Sequence, residues 1–195
     1  MKKSKVNRSG NQKQVNKYDQ CMTPFYALPP LVKYLPQDAI IWESACGEGY
    51  IVYTLRYFGF DVFGSDLAAG GWPRRDFYEW QPQEYDVQVT NPPWSHKYAW
   101  LEKSISYQKP FALLVPVDTL GAKGFQIPAK NFGLQVIFMD KRIDYKMPNK
   151  GWNGAGSHFA SVWVTWQLGL PDSMVFETVD KTPIEQLRMF DCLEK

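Results

Sequence analysis

The chain reads as an α/β domain: a mostly parallel sheet with helices on both faces and its last strand reversed. Three observations lead there. The 195 residues, 45% of them hydrophobic, suffice for one ordinary domain with a sizeable core. Strand-length apolar runs alternate with segments whose apolar residues recur at helical spacing, the pattern of a parallel sheet covered on both sides. The final two strands are joined by a Gly- and Asn-rich loop and not by a helix, so they are expected to pair antiparallel.

The elements follow in order. Residues 1–20 form a basic arm, with Lys2, Lys3, Lys5, Arg8, Lys13 and Lys17 spaced by Asn, Gln, Ser and Gly; it cannot bury much and is expected to be disordered. Thr23 to Pro36 reads as a loop and a short helix, with Pro29 and Pro30 in the first turn. Ala39 to Glu43 is a buried strand, Ser44 to Gly49 a turn, and Ile51, Val52, Leu55 and Phe58 mark a helix stopped by Gly59. Asp61 to Leu67 is the second strand; 68–84 is loop; Tyr85 to Thr90 is a third strand that runs into Asn91-Pro-Pro-Trp94. A helix is expected over 95–109, a strand over Phe111 to Val115, irregular or partly helical chain over 118–133, and a strand over Leu134 to Phe138 that Arg142 to Met147 extends. Phe159 to Trp166 is the last strand, which closes a domain spanning 21–170. A C-terminal tail, 171–195, carries one short helix near Thr182 to Phe190.

Composition narrows the chemistry. Net charge is +2, so only the basic arm suggests contact with phosphates. Three scattered cysteines, Cys21, Cys46 and Cys192, fit a reducing, cytoplasmic setting, not a disulfide framework. With two histidines and no Cys-x-x-Cys pair, no metal site is expected, and no run is long and apolar enough for a membrane span.

Two motifs carry function. In the first, Gly47 and Gly49 sit in a turn between a strand and a helix, where backbone can approach a ligand, and Asp66 follows at the end of the next strand, placed to bind both hydroxyls of a ribose. A dinucleotide pattern would need a third glycine, but position 52 is Val. Glu43 and Glu48 place negative charge where a pyrophosphate would need its absence; that charge suits the ammonium and sulfonium of S-adenosyl-L-methionine. In the second motif, Pro92 and Pro93 stiffen the backbone and remove two donors, leaving the Asn91 side-chain oxygen and the Pro92 carbonyl as clustered acceptors. Two acceptors match the two N–H donors of an amino group. Trp94 adds a flat face for a base. His96, just beyond, is expected to help start the next helix, and Trp100 and Trp152 are candidate base or groove contacts.

With those residues in place, the sequence resembles the Rossmann-like, S-adenosylmethionine-dependent class I amino-methyltransferases, in particular the small DNA N6-adenine methyltransferases of phages and prophages. Thr23-Pro24-Phe25 resembles the N-terminal cofactor motif, and Glu43 to Gly49, including Ala45 and Cys46, resembles the acidic-x-x-x-Gly-x-Gly motif. Asp66, with Leu67 beside it, matches the ribose-binding acid; Asp76-Phe77 matches the pair that contacts the adenine ring of the cofactor; Asn91-Pro92-Pro93-Trp94 is similar to the catalytic motif, whose Asn also borders the cofactor. The resemblance implies a seven-stranded sheet, direct methyl transfer without a metal or a covalent enzyme intermediate, a nucleic-acid acceptor with DNA favoured, and a bacterial or phage-infected cell as the setting. The family often begins the catalytic motif with Asp. Asn also begins it in enzymes acting on RNA adenine or protein glutamine, so those acceptors stay open, as does a catalytically silent nucleic-acid-binding relative. With 25 residues after Leu170, reading of a target sequence falls to the 68–84, 118–133 and 148–157 loops, with Lys123, Lys130, Lys146 and Lys150 as candidate phosphate contacts.

Overall fold

A computed structural model describes residues 19–68, 71–146 and 158–182. The basic arm before residue 19, Trp152 and Lys150 of the 148–157 loop, and the helix expected near 182–190 lie outside the described residues, apart from Thr182.

Seven strands make one sheet: β1 (Ile40–Glu43), β2 (Asp61–Gly64), β3 (Val87–Thr90), β4 (Phe111–Pro116), β5 (Gln135–Met139), β6 (Ser161–Trp166) and β7 (Met174–Glu177), in the order β2-β1-β3-β4-β6-β5-β7. The β1–β2, β1–β3 and β3–β4 pairs are parallel. β6 is the reversed strand, antiparallel to both β4 and β5, with Leu113 opposite Val164 and Val136 opposite Val164 across the two ladders. β3, β4 and β6 are buried along their whole length, which explains the continuous apolar run of β4, and the burial takes in Gln88, Thr90, Ser161 and Thr165 of β3 and β6, whereas β2 at the edge alternates exposed and buried.

Helices cover both faces. α1 (Pro29–Val32) and α2 (Tyr50–Tyr57) enclose a core with Leu31, Ile41, Val52, Leu55, Val89 and Trp163. α3 (Lys97–Ser106) and α4 (Lys123–Phe132) enclose another, centred on Trp42, Phe77, Trp100, Phe111 and Val164. The catalytic-motif loop and the Gly-rich turn both leave the carboxyl ends of parallel strands, β3 and β1, the edge at which open α/β sheets bind ligands.

Three expectations change and one is refined. The tail expected from residue 171 contains β7, parallel to β5 and tied to the end of α1 by Glu177, which accepts from Lys33 Nζ and the Tyr34 hydroxyl, each at 2.5 Å. The extension expected over Arg142 to Met147 is not a strand in its described part, 142–146: there only Lys146 bridges, to Met22, while Ile143 and Tyr145 turn into the core. The 118–133 stretch, expected to be irregular or partly helical, is partly helical: a 3-10 turn (Val117–Gly121) is followed by α4, in which Pro128 is buried and which Gly133 closes at φ +70°. Trp100, a candidate base or groove contact, is 6% exposed and stacks face to face on Phe77, centroids 4.0 Å apart.

Candidate active site

The Gly-rich turn is held by its own backbone. The Cys46 amide and thiol both reach the Ser65 carbonyl, each at 3.1 Å, and the Gly49 amide donates to the Cys46 carbonyl at 2.7 Å. Burial pushes the Cys46 thiol far above its usual range, so it is a small packing group and not a nucleophile. Gly47 and Gly49 both have positive φ, +51° and +88°, but they serve differently. A Cβ on Gly47 would meet nothing within 4 Å, so this glycine faces open space. A Cβ on Gly49 would lie 2.5 Å from Trp72 and 2.7 Å from Tyr53. The room expected for a ligand at Gly49 is therefore taken by two aromatic rings, and its role is to let them pack.

Asp66 joins the turn to the end of β2. Its carboxylate accepts from the Gly47 amide at 2.8 Å and from the Ala68 amide at 2.7 Å. Leu67, next to it, is 58% exposed, an apolar side chain left uncovered beside a carboxylate.

The acids differ from the sequence expectation. Glu43 is fully buried; one carboxyl oxygen accepts from the Ala45 amide at 2.9 Å, and the Thr90 hydroxyl lies beside the carboxyl. Burial pushes its carboxyl up to about 8, so at neutral pH it is mostly neutral and does not supply the charge expected of it. Glu48 is turned onto Lys146 at 3.2 Å, and Lys146 also donates to the Tyr50 hydroxyl at 2.7 Å. Lys146, a candidate phosphate contact in the sequence, is thus a latch across the Gly-rich turn.

The catalytic-motif loop is braced from three sides. The Asn91 Nδ2 donates to the Cys21 carbonyl at 2.9 Å, while Oδ1 is buried with no partner among the described residues. Trp94 is half-buried; its indole N–H donates to the Leu114 carbonyl at 3.2 Å, and Tyr145 and Phe159 stand edge-on to it with centroids at 5.0 Å. The Ser95 amide and hydroxyl donate to Asp19 at 3.0 and 2.6 Å. His96 begins α3 as expected, without a capping hydrogen bond from its side chain.

Other expected contacts stand apart. Thr23 is buried close to Cys21 in the chain, with no partner for its hydroxyl among the described residues, and Pro24 heads the 3-10 turn at Phe25–Ala27. Phe25 stacks on Phe58 and meets Tyr57 edge-on at the carboxyl end of α2, opposite the Gly-rich turn; it packs there and does not join the cradle. Asp76 accepts from the Tyr78 amide at 2.9 Å, and Phe77 is 3% exposed in the α3 core, so its ring is committed to Trp42 and Trp100. Asp19, Cys21, Trp72 and Tyr145 escape sequence reading; their roles arise from contacts with distant positions. Among the described residues no cluster of His, Cys, Asp or Glu could hold a metal ion, and no helix is long and apolar enough to cross a membrane.

Similar solved structures share this architecture. One described as a putative class I S-adenosylmethionine-dependent methyltransferase from Listeria monocytogenes matches with TM-score 0.58 at 14% identity, over 95% of this chain and 73% of that one. One described as a putative RNA methyltransferase from Pyrococcus horikoshii matches with TM-score 0.57 at 12% identity, over 80% and 90% of the two chains. A dimethyladenosine transferase from Plasmodium falciparum matches with TM-score 0.51 at 17% identity over 71% of this chain, which spans 60% of that enzyme. The chain has the fold of the Rossmann-like class I methyltransferases. No protein-family model and no curated protein matches its sequence. For a class I methyltransferase fold, S-adenosyl-L-methionine is the expected cofactor, and the residues present fit it: the open Gly47, the Asp66 carboxylate beside the exposed Leu67, and the buried Glu43 carboxyl at the end of β1.

Proposed function

We propose that the protein transfers a methyl group from S-adenosyl-L-methionine to the exocyclic N6 of adenine in nucleic acid, DNA in preference to RNA. The observation that carries this reading is the Asn91 amide, whose nitrogen is occupied by the Cys21 carbonyl and whose oxygen is buried and partnerless among the described residues. A buried acceptor without a donor costs about 1–3 kcal/mol, and an incoming amino group removes that cost. The Pro92 carbonyl supplies the second acceptor for the second N–H. Held this way, the nitrogen keeps its lone pair off the ring and directed outward, and positive charge developing on it meets two oxygens. Trp94, fixed edge-on by Tyr145 and Phe159, offers the base a stacking face worth ~1–3 kcal/mol.

S-adenosyl-L-methionine, when bound, supplies an electrophilic methyl group on its sulfonium. Glu43, Ala45, Cys46, Gly47, Asp66 and Leu67 are the residues that would hold it, Asp66 through ribose hydroxyls and Glu43 through its cationic end. Residues 1–18, with six basic side chains, add an electrostatic hold on a phosphate backbone. A fold similar to those of proteins described as a dimethyladenosine transferase and a putative RNA methyltransferase supports an acceptor of this class.

The test is methylation with labelled cofactor of separate pools of duplex DNA, single-stranded DNA, RNA and protein, each product digested and identified by mass spectrometry. N6-methyladenine in DNA is the expected result. Label confined to protein would move the acceptor to a glutamine amide, which has the same two donors. Asn91→Ala is expected to abolish transfer while cofactor binding persists; transfer surviving that change would remove Asn91 from the reaction.

A further inference from the structure

An amide side chain has a nearly symmetric shape. Turning it by 180° exchanges Oδ1 and Nδ2 without a steric change, but it exchanges an acceptor for two donors. In the turned state Asn91 would meet an amino group with N–H against N–H. The proposed reaction therefore needs a device that selects one orientation. The Cys21 carbonyl is that device, because a backbone carbonyl only accepts: Nδ2 facing it makes a 2.9 Å bond, and Oδ1 facing it would set two oxygens together.

Cys21 lies 70 residues from Asn91 in sequence, so its carbonyl must be brought there and kept there. Two anchors flank it. On one side Met22 exchanges backbone hydrogen bonds with Lys146, at 3.0 and 3.1 Å. On the other, the Asp19 carboxylate takes the Ser95 amide at 3.0 Å and the Ser95 hydroxyl at 2.6 Å. Ser95 belongs to the same turn as Asn91, directly after Trp94. The segments 19–22 and 91–95 are thus joined by the Ser95–Asp19 bonds and by the Asn91–Cys21 bond, while Met22, just beyond Cys21, is held to Lys146. One of the bonds from Ser95 uses an amide and the other a hydroxyl, both to a carboxylate, which places them among the stronger hydrogen bonds of proteins.

We propose that Asp19 is a positioning residue: through Ser95 it holds the Cys21 carbonyl against Asn91 and so decides that the Asn91 oxygen, and not its nitrogen, faces the acceptor of the methyl group. This rests on the function proposed above, but it has a readout of its own. The side-chain NH2 of Asn91, assigned in nitrogen-15 spectra by its disappearance in Asn91→Ala, reports the bond to Cys21 without any turnover.

The experiment compares the full chain with Asp19→Ala, Asp19→Asn and Ser95→Ala. In Asp19→Ala the Asn91 NH2 signals should move to the positions of a free carboxamide or split in two, and kcat should fall on the order of ten-fold with cofactor Kd unchanged. Asp19→Asn keeps an acceptor for the Ser95 amide and should restore both the signals and most of the rate. Ser95→Ala keeps the amide bond, loses the hydroxyl bond, and should fall between; it also serves if Asp19→Ala does not fold. Unchanged Asn91 signals in Asp19→Ala would overturn the proposal, as would an Asp19→Asn protein no better than Asp19→Ala. If the parent protein methylates nothing, the proposed function fails, while the Asn91 signals still decide whether Asp19 sets that amide.

Discussion

The Gly47 amide donates to the Asp66 carboxylate at 2.8 Å, a bond that ties the turn after β1 to the end of β2 across 19 residues of sequence. The same carboxylate also takes the Ala68 amide, so it is oriented before any ligand arrives. Asp66→Ala removes both anchors and the proposed ribose contact. Hydrogen bonds to charged groups are worth about 1.5–3 kcal/mol, so cofactor affinity should weaken about 10- to 150-fold. Titration calorimetry with S-adenosyl-L-methionine measures it; an unchanged Kd would detach Asp66 from cofactor binding.

Gly49→Ala tests the packing role assigned to that glycine. The new Cβ meets Trp72 and Tyr53 at contact-breaking distances and sits at φ +88°. Overpacking of this kind typically costs 1–3 kcal/mol, and the positive φ adds to it. Urea denaturation should show the loss, and Trp72→Ala in the same chain should recover part of it. Gly47→Ala meets no atom and carries only the backbone cost, so it should be the milder of the two changes.

Glu43 gives the protein a pH dependence with a defined sign. Its carboxyl is raised from 4.5 to about 8 by burial, so between those values the folded state holds a proton that the unfolded state has released. Stability from this group is complete below pH 4.5 and is lost as pH rises toward 8. Glu43→Gln should flatten the melting temperature over that window and overtake the parent above it. A bound cation would favour the ionised form. Cofactor binding at pH 7 should then release protons in the parent, seen as heats that vary with buffer, and release fewer in Glu43→Gln.

Trp94 and Trp100 should separate cleanly. Trp100→Ala removes a fully packed ring stacked on Phe77, and losses of this type run about 3–5 kcal/mol. Trp94→Ala, at a half-buried position, should leave the fold largely intact and raise the KM for nucleic acid about 5- to 150-fold, the equivalent of one lost stacking contact. Equal effects of both changes on stability alone would remove the stacking role from Trp94.

Much of the architecture was legible because buried strands carry apolar and β-forming residues: β1 and β4 fall where apolar runs predict them, β3 where an alternating stretch does, and β6 where β-branched and aromatic residues cluster. β7 was hidden because Met174 to Glu177 is four residues long between polar segments, and its strand geometry comes from pairing with β5. α4 was obscured by Pro128, a helix breaker by propensity that tertiary packing tolerates here. In the site, Gly47, Asp66 and Asn91 follow the carboxyl ends of β1, β2 and β3, as the strand reading places them. Nothing local could show that Phe25 packs on Phe58, that Phe77 and Trp100 share a core, or that Asp19 reaches Ser95, since each depends on a partner dozens of residues away. Glu43 was correctly placed, but its protonation follows from burial, which sequence does not display.

The position of β6 has a consequence for how the molecule opens. Among the described strands, β5 and β7 connect to the rest of the sheet through the β5–β6 ladder alone, since β7 pairs only with β5. Any fluctuation that frees β6 from β4 carries three strands away together. In hydrogen exchange, the ladder amides of β5, β6 and β7 should therefore respond as one cooperative unit when denaturant is raised. The β1–β2–β3 half, which carries the Gly-rich turn and Asp66, can stay closed through that event.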